Sequence, residues 1–423
     1  MPESLPPPRL RSPNRTAVLD ATPIDGLLDS DHQARVVWDF CRGLDLSPLI
    51  DPIRSRQGHP GRAALDPRLA IALWLYATLE GVGSARQLAT LCTEHNAFRW
   101  LCGGVTVNHH TLADVRVGPL DGLDGLLAHS VAVLREQGLV DLNRVAQDGT
   151  RVRASAGAAS FRRKPTPEEC LLEAEDQVAR LEEEMDDDPS ASSRRHTAAR
   201  ERAARERGER VRQALERLPE LEARKKPGER DRARCSTTDA QATVMTMADG
   251  GFRPAYDVPF AADTASQVIV GVDVLTTGSD QGRMKAMAEQ IRRRYGRYPA
   301  EYLADGGFAQ HADLEAVTGC GVTVFAPVPA PKDAGRDRHQ RLPGDGAVIA
   351  AWRERMGTAD AKAICKDRAA TVECVNAQAR NRGLVRLLVR GVEKVKAVVM
   401  WFAVAHDVAC GARLRAARLA VAA

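Results

Sequence analysis

The later two-thirds of this 423-residue sequence predict an α/β fold built on a mixed sheet. Three observations carry that expectation. From Leu139 onward, short β-branched or aromatic runs alternate with segments of helical period, an order that suits an α/β or α+β core and neither an all-helical nor an all-β one. Residues 31–136 read as helical, which marks them as an N-terminal unit of their own. Residues 165–230 carry thin apolar seams inside dense charge and read as an inserted antiparallel helical hairpin.

The elements follow in order. Residues 1–30, rich in Pro, Arg, Asp and Ser, are expected to form a loose arm. Asp66 is placed to cap a helix that has Pro67 in its first turn, with Leu69, Leu73, Tyr76 and Leu79 at helical spacing and Gly81 and Gly83 as its stop. Ser84 caps the next helix, with apolar face Leu88, Leu91 and Cys92, and Phe98, Trp100 and Leu101 end at Gly103-Gly104. Asn108-His109-His110 then opens another short helix running to Arg116. Short helices separated by Gly-rich turns suit a helix-turn-helix, although small helical bundles share the pattern.

Val140 to Ala146 predicts a strand that ends at Gln147-Asp148-Gly149-Thr150, with alternation resuming at Val152. The hairpin's acidic arm carries Leu171, Ala174, Val178, Leu181 and Met185, Asp186 to Ser190 breaks it, and the basic arm carries Ala204, Val211, Leu215 and Leu218. Strands return at Ala242–Met247, Phe252–Phe260 and Gln267–Leu275, with Asp249-Gly250-Gly251 as a turn. Gln281–Tyr295 reads as helix, Glu301–Ala304 as a strand ending at Asp305-Gly306, His311–Val317 as helix and Val322–Phe325 as strand. Residues 327–346 form a long loop, and the chain from Ala347 onward is helical.

Composition limits the function. A hydrophobic fraction of 44% excludes wholesale disorder, and 27% charge excludes a membrane bundle. The net charge of +4 is too mild to establish nucleic-acid binding by itself. Nine cysteines without a Cys-x-x-Cys pair read as reduced cytosolic thiols. The N-terminus lacks signal-peptide order, and Val395–Ala409 falls short of the ~20 apolar residues of a membrane span, so a soluble cytoplasmic protein is expected. No phosphate-binding Gly-x-x-x-x-Gly-Lys motif is present, so no nucleotide cofactor is expected.

Asp148 and Asp305 fall at predicted strand ends, where ligands collect in α/β sheets, although each Asp-Gly taken alone reads as a turn. Glu373 interrupts a nearly uncharged stretch, Ala369 to Ala377, and Arg380, Arg382, Arg386 and Arg390 follow it. Separated carboxylates beside a cationic segment suit phosphodiester cleavage, with Mg²⁺ or alternatively Mn²⁺ on hard oxygen ligands and Arg or Lys on the polyanion. His109-His110 as a metal pair is the weaker reading, because adjacent side chains rarely converge on one ion.

Taken together, Asp148-Gly149-Thr150, Ser236-Thr237-Thr238-Asp239, Ala248-Asp249-Gly250-Gly251-Phe252, Ser279-Asp280-Gln281-Gly282, Asp305-Gly306-Gly307-Phe308 and Val372-Glu373 resemble the DDE transposases of bacterial insertion sequences. The resemblance covers about residue 55 to the end, with Gly83–Arg116 similar to the DNA-binding region. It implies a ribonuclease-H-like catalytic domain over 137–423, interrupted by the hairpin at 165–230, and a DNA-binding domain at 31–136. Asp148, Asp305 and Glu373 would be the metal-binding triad, with no covalent nucleophile. Arg368, Arg380, Arg382, Arg386, Asn108, His109, His110 and Arg116 are the expected DNA contacts. Cys365 stands where relatives carry Tyr, and Ala240 where many carry Pro after Asp239, itself read as a turn former or an auxiliary acid. The implied partners are double-stranded DNA, as element ends and target, and further copies of the chain, in a nucleoid-associated setting and without a membrane. A metal-dependent nuclease on the same core and an inactive DNA-binding derivative are the alternatives.

Overall fold

The computed structural model describes residues 9–16, 18–19, 22–58, 62–118, 120–163, 166–187, 191–278, 282–331 and 335–422. Residues 1–8, the hairpin break at 188–190 and the Ser279–Gln281 part of one motif lie outside them.

Local signals set the N-terminal helices. Helix α1 is Gln33–Arg42, and α2, Pro67–Leu79, starts where the Asp66 carboxylate accepts the Arg68 N–H. Ser84 caps α3 (Ala85–Glu94), His95 caps α4 (Asn96–Cys102), and Asn108 caps α5 (His109–Arg116). Helix α6 is Leu120–Glu136. Among the described residues before Ser30, several are packed and not loose. Leu10-Arg11 pairs with Ala64-Leu65, Ile24 is buried, and the Arg15 guanidinium stacks 3.5 Å from the Trp38 ring centroid.

The sheet begins with β1, Arg144–Arg153. The hairpin α7 (Thr166–Asp187) and α8 (Ala191–Ala223) then leaves the core. It is followed by β2 (Thr243–Thr246), β3 (Phe252–Asp263), β4 (Ile269–Val272), α9 (Met284–Tyr295), β5 (Glu301–Leu303), α10 (His311–Thr318) and β6 (Thr323–Phe325). Helices α11 (Ala347–Gly357), α12 (Ala359–Asn381) and α13 (Val392–Ala422) complete the chain. The strand order is β4-β3-β1-β5-β6, and β2 pairs with the first part of β3. Strands β1, β5 and β6 are parallel, and β3 is antiparallel to β1, β2 and β4.

Three differences from expectation have physical causes. The strand does not end at Asp148-Gly149. Pairing with β3 runs unbroken from Val145 to Arg153, so Asp148 lies mid-strand and the Asp-Gly turn tendency is overridden by ladder bonds. The inserted hairpin is also anchored to the core: Ala214 and Leu218 of α8 form a small apolar cluster with Cys235 and Ala240. The N-terminal helices also share one apolar cluster with α13 and with one face of the sheet. Helix α13 has the length and composition to cross a membrane, yet 83% of its apolar window is buried within the protein, which makes it the central core helix.

Candidate active site on the central strand

Strand parity comes first. Asp148 shares a face of the sheet with Thr150 and Val152 and with their cross-strand partners Phe260, Val258 and Tyr256. Val375 and Ala379 of α12 pack into the cluster formed on that face. The Arg368 guanidinium stands 3.7 Å from the Asp148 carboxylate, whose other oxygen accepts the Gly149 N–H.

Asp305 follows from register. Ala146 pairs with Leu303, so two residues further along these parallel strands Asp305 is level with Asp148. It caps a short 3₁₀ turn, with its carboxylate accepting the Gly307 N–H at 2.7 Å.

Glu373 follows from the course of α12. Asp367 pairs with Arg144 at the start of β1, and Arg153 at its end bonds to Val385 and Leu387 just beyond the helix. The helix therefore runs alongside β1 in the same direction. Glu373, about 9 Å beyond Asp367, is level with roughly the third residue after Arg144, next to Asp148. Its side chain is exposed.

By register and helix course the three positions therefore come level along β1, with Asp305 in the turn after β5 and Glu373 on α12. As hard oxygen donors they fit Mg²⁺ or Mn²⁺ in chemistry. Among the described residues, no three His, Cys, Asp or Glu side chains are gathered closely enough to hold an ion.

The expected DNA contacts divide. Arg380 and Arg386 are exposed on the strand-flanking segment. Arg382 is drawn inward: burial lowers its guanidinium below the ordinary value, and one terminal nitrogen is buried without a partner. Arg116 is likewise committed within the protein. It donates to the Gly83 carbonyl, lies 5.0 Å from the Trp74 ring centroid, and is lowered to about 10 by burial. Both guanidiniums are thus partly engaged in packing within the protein. Asn108 serves as the α5 cap through the His110 N–H, and the His109 and His110 rings lie 4.1 Å apart.

Asp239 is a brace. Its backbone carbonyl closes a turn onto Ala242, while the buried carboxylate accepts from the Tyr256 hydroxyl at 2.7 Å and from the Gly391 N–H at 3.3 Å. Burial raises its pKa, outweighing those bonds. Sequence reasoning missed two polar groups next to the carboxylates. Asp257 is buried with its carboxylate against Gly149, on the opposite face from Asp148. Asn376, one turn after Glu373, is buried with a side-chain oxygen that lacks a hydrogen-bond partner. The only sequence signal for Asn376 is an amide in an otherwise apolar helical stretch.

Residues 23–117 match the family model described as a transposase domain (DUF772). The helical N-terminal region is therefore similar to a transposase domain, and the rest of the chain lies outside the match. No curated protein and no solved structure matches the chain.

Proposed function

We propose that the chain is an insertion-sequence transposase of the DDE type, binding terminal inverted repeats and carrying out metal-dependent strand cleavage and strand transfer. The transposase-family domain at residues 23–117 supports the transposase role. What supports the catalytic reading is that strand register and helix course bring the positions of Asp148, Asp305 and Glu373 level along the central strand, which itself holds the first of them. The strand order and the single strand running against its neighbours support a ribonuclease-H-like core.

In this reading Asp148, Asp305 and Glu373 hold Mg²⁺, or Mn²⁺ in its place, which when bound supplies Lewis-acid chemistry at the scissile phosphate. Arg368 lies beside Asp148, where its charge offsets carboxylate repulsion and attracts the polyanion. The exposed Arg380 and Arg386 extend that attraction along the flank, and Asn108 fixes the start of α5 so that His109 and His110 face DNA. Two element ends held together call for at least a homodimer, acting on the nucleoid in the cytoplasm, and no nucleotide is required.

The test compares Asp148→Asn, Asp305→Asn and Glu373→Gln with wild type on repeat-end DNA. Each amide should lower metal-dependent cleavage by at least about 100-fold while binding without metal persists. Undiminished cleavage in one variant removes that residue from the site. Cutting without joining identifies a nuclease, and binding without any cutting identifies an inactive derivative.

A further inference from the structure

The mild net charge of +4 hides two strongly biased stretches. Residues 149–167 hold five Lys or Arg, residues 374–392 hold four Arg, and neither stretch contains an Asp or Glu. Folding lays them side by side. The Arg153 N–H donates to the Val385 carbonyl at 3.0 Å, the Leu387 N–H donates to the Arg153 carbonyl at 2.8 Å, and the Arg390 Nε donates to the Ser155 carbonyl at 3.2 Å. Segment 385–387 thus extends the sheet by a parallel bridge at the end of β1, on the edge that β5 leaves free beyond Ala146. The bridge pairs Arg153 with Arg386, so these side chains stand next to each other on one sheet face, with Arg151 two residues back on the same face. That face is the one opposite Asp148. All three arginines are exposed.

A cross-strand pair of like charges destabilises a sheet unless something neutralises it. On its other side Arg153 meets Ala255, and among the described residues neither Arg153 nor Arg386 has an ion-pair partner. The acids of the neighbouring rows are Asp257, buried opposite Arg151, and Asp249, paired with Arg253 at 2.7 Å. Arg390 differs from the exposed pair. Its guanidinium is tied to Ser155, and the N–H of the next residue, Gly391, donates to the Asp239 carboxylate. Three guanidiniums spread over about 7 Å along one strand and about 5 Å across to the next suit a repeating polyanion lying on a surface. An open sheet face meets phosphates, and phosphate contacts position a duplex without reading its sequence. We propose that this face is a second DNA-contact surface, with backbone phosphates of a duplex on Arg153 and Arg386 and Arg151 at their margin. It lies outside residues 23–117 and on the face away from Asp148, so it holds duplex away from the scissile phosphate and leaves repeat recognition to the N-terminal helices. The identity of the polyanion as DNA rests on the proposed function.

The experiment measures binding of the full chain, without metal, to a terminal-repeat duplex and to an unrelated duplex of equal length over a salt series. Arg153→Gln combined with Arg386→Gln should flatten the log–log salt slope by about 1.8 on both duplexes, which shrinks the wild-type advantage about 12-fold between about 50 and 200 mM salt. Arg153→Lys with Arg386→Lys keeps both charges and should keep the wild-type slope. Arg293→Gln, exposed on α9, should change neither slope. The preference for repeat over unrelated duplex should be the same in the Gln variant as in wild type, because backbone contacts carry no sequence. An unchanged slope in the Gln variant, equal flattening by Arg293→Gln, or a lost repeat preference overturns the inference and leaves the proposed function standing. So does a Gln variant that keeps its DNA slope but loses self-association in sedimentation, which would make the patch a contact for an acidic surface of another copy. Wild type that binds no DNA overturns the proposed function itself.

Discussion

Gly149 lets the strand keep its line next to Asp148. A Cβ there would come within 2.8 Å of an Asp257 carboxylate oxygen, closer than such contacts allow. Asp257 is buried on the sheet, so Gly149→Ala should cost about 1–3 kcal/mol of stability, read from urea unfolding. An unchanged midpoint would mean that Asp257 is free to move. Asp239 gives a paired prediction. Asn at 239 keeps an oxygen for the Tyr256 hydroxyl and Gly391 N–H, so Asp239→Asn should fold with near-native stability. Asp239→Ala strands both buried donors and should lose about 2–4 kcal/mol in the same assay. In the sequence, Glu373 stood out as an acid in an uncharged stretch, whereas Asp148 and Asp305 stood out only by falling at predicted strand ends, since each Asp-Gly alone reads as a turn. Their alignment was not legible, because register and helix course are tertiary facts. For the same reason Arg116 and Arg382 read as surface cations, while packing against Trp74 and burial near α13 turned them inward.

At the scale of elements, helix starts were the most legible feature, since the Asp66, Ser84 and Asn108 caps act within two or three residues of themselves. The central strand was misjudged at one dipeptide, because bonds to β3 come from more than a hundred residues away. The hairpin was legible as a pair of seams, but its attachment to the core was not. Gly208 packs on Ala174, and beyond that level α8 continues toward Ala214 and Leu218, which bury Cys235. The hairpin therefore has a removable tip and an integral base. Replacing residues 176–206 by a short Gly/Ser turn should leave the thermal midpoint within a few degrees of wild type. Removing 165–230 entirely should lower it much further, because the Cys235–Ala240 cluster loses its cover. Equal midpoints for the two deletions in a thermal scan would show that the base contributes nothing.

The whole molecule is organised around α13, and two consecutive buried residues on it link folding to pH with opposite signs. The His406 Nε2 meets the Gln267 carbonyl at 2.9 Å, and burial lowers the imidazole from 6.5 to about 4. Asp407 accepts the Ile269 N–H at 2.8 Å and contacts Ser130 of α6, so it ties the edge strand and α6 to the core helix. Burial raises its carboxyl well above the ordinary value. For His406 the unfolded chain takes up the extra proton, so its contribution is intact above about pH 6.5 and is lost as pH falls toward 4. For Asp407 the folded chain holds the extra proton, so its contribution is present at low pH and is lost as pH rises above about 3.8. As pH rises from 4 the two slopes, each up to about 1.4 kcal/mol per pH unit, oppose each other. Asp407→Asn should leave the His406 slope alone, so this variant loses stability relative to wild type on acidification from 6.5 toward about 4. His406→Gln, which can still donate to the Gln267 carbonyl, should do the reverse and gain relative stability as pH falls. Urea midpoints of the three proteins at several pH values from 4 to 7 make the comparison, with every other titrating group common to all three. Parallel profiles would show that neither residue changes its protonation on folding, and the burial of this pair would then carry no linkage to pH.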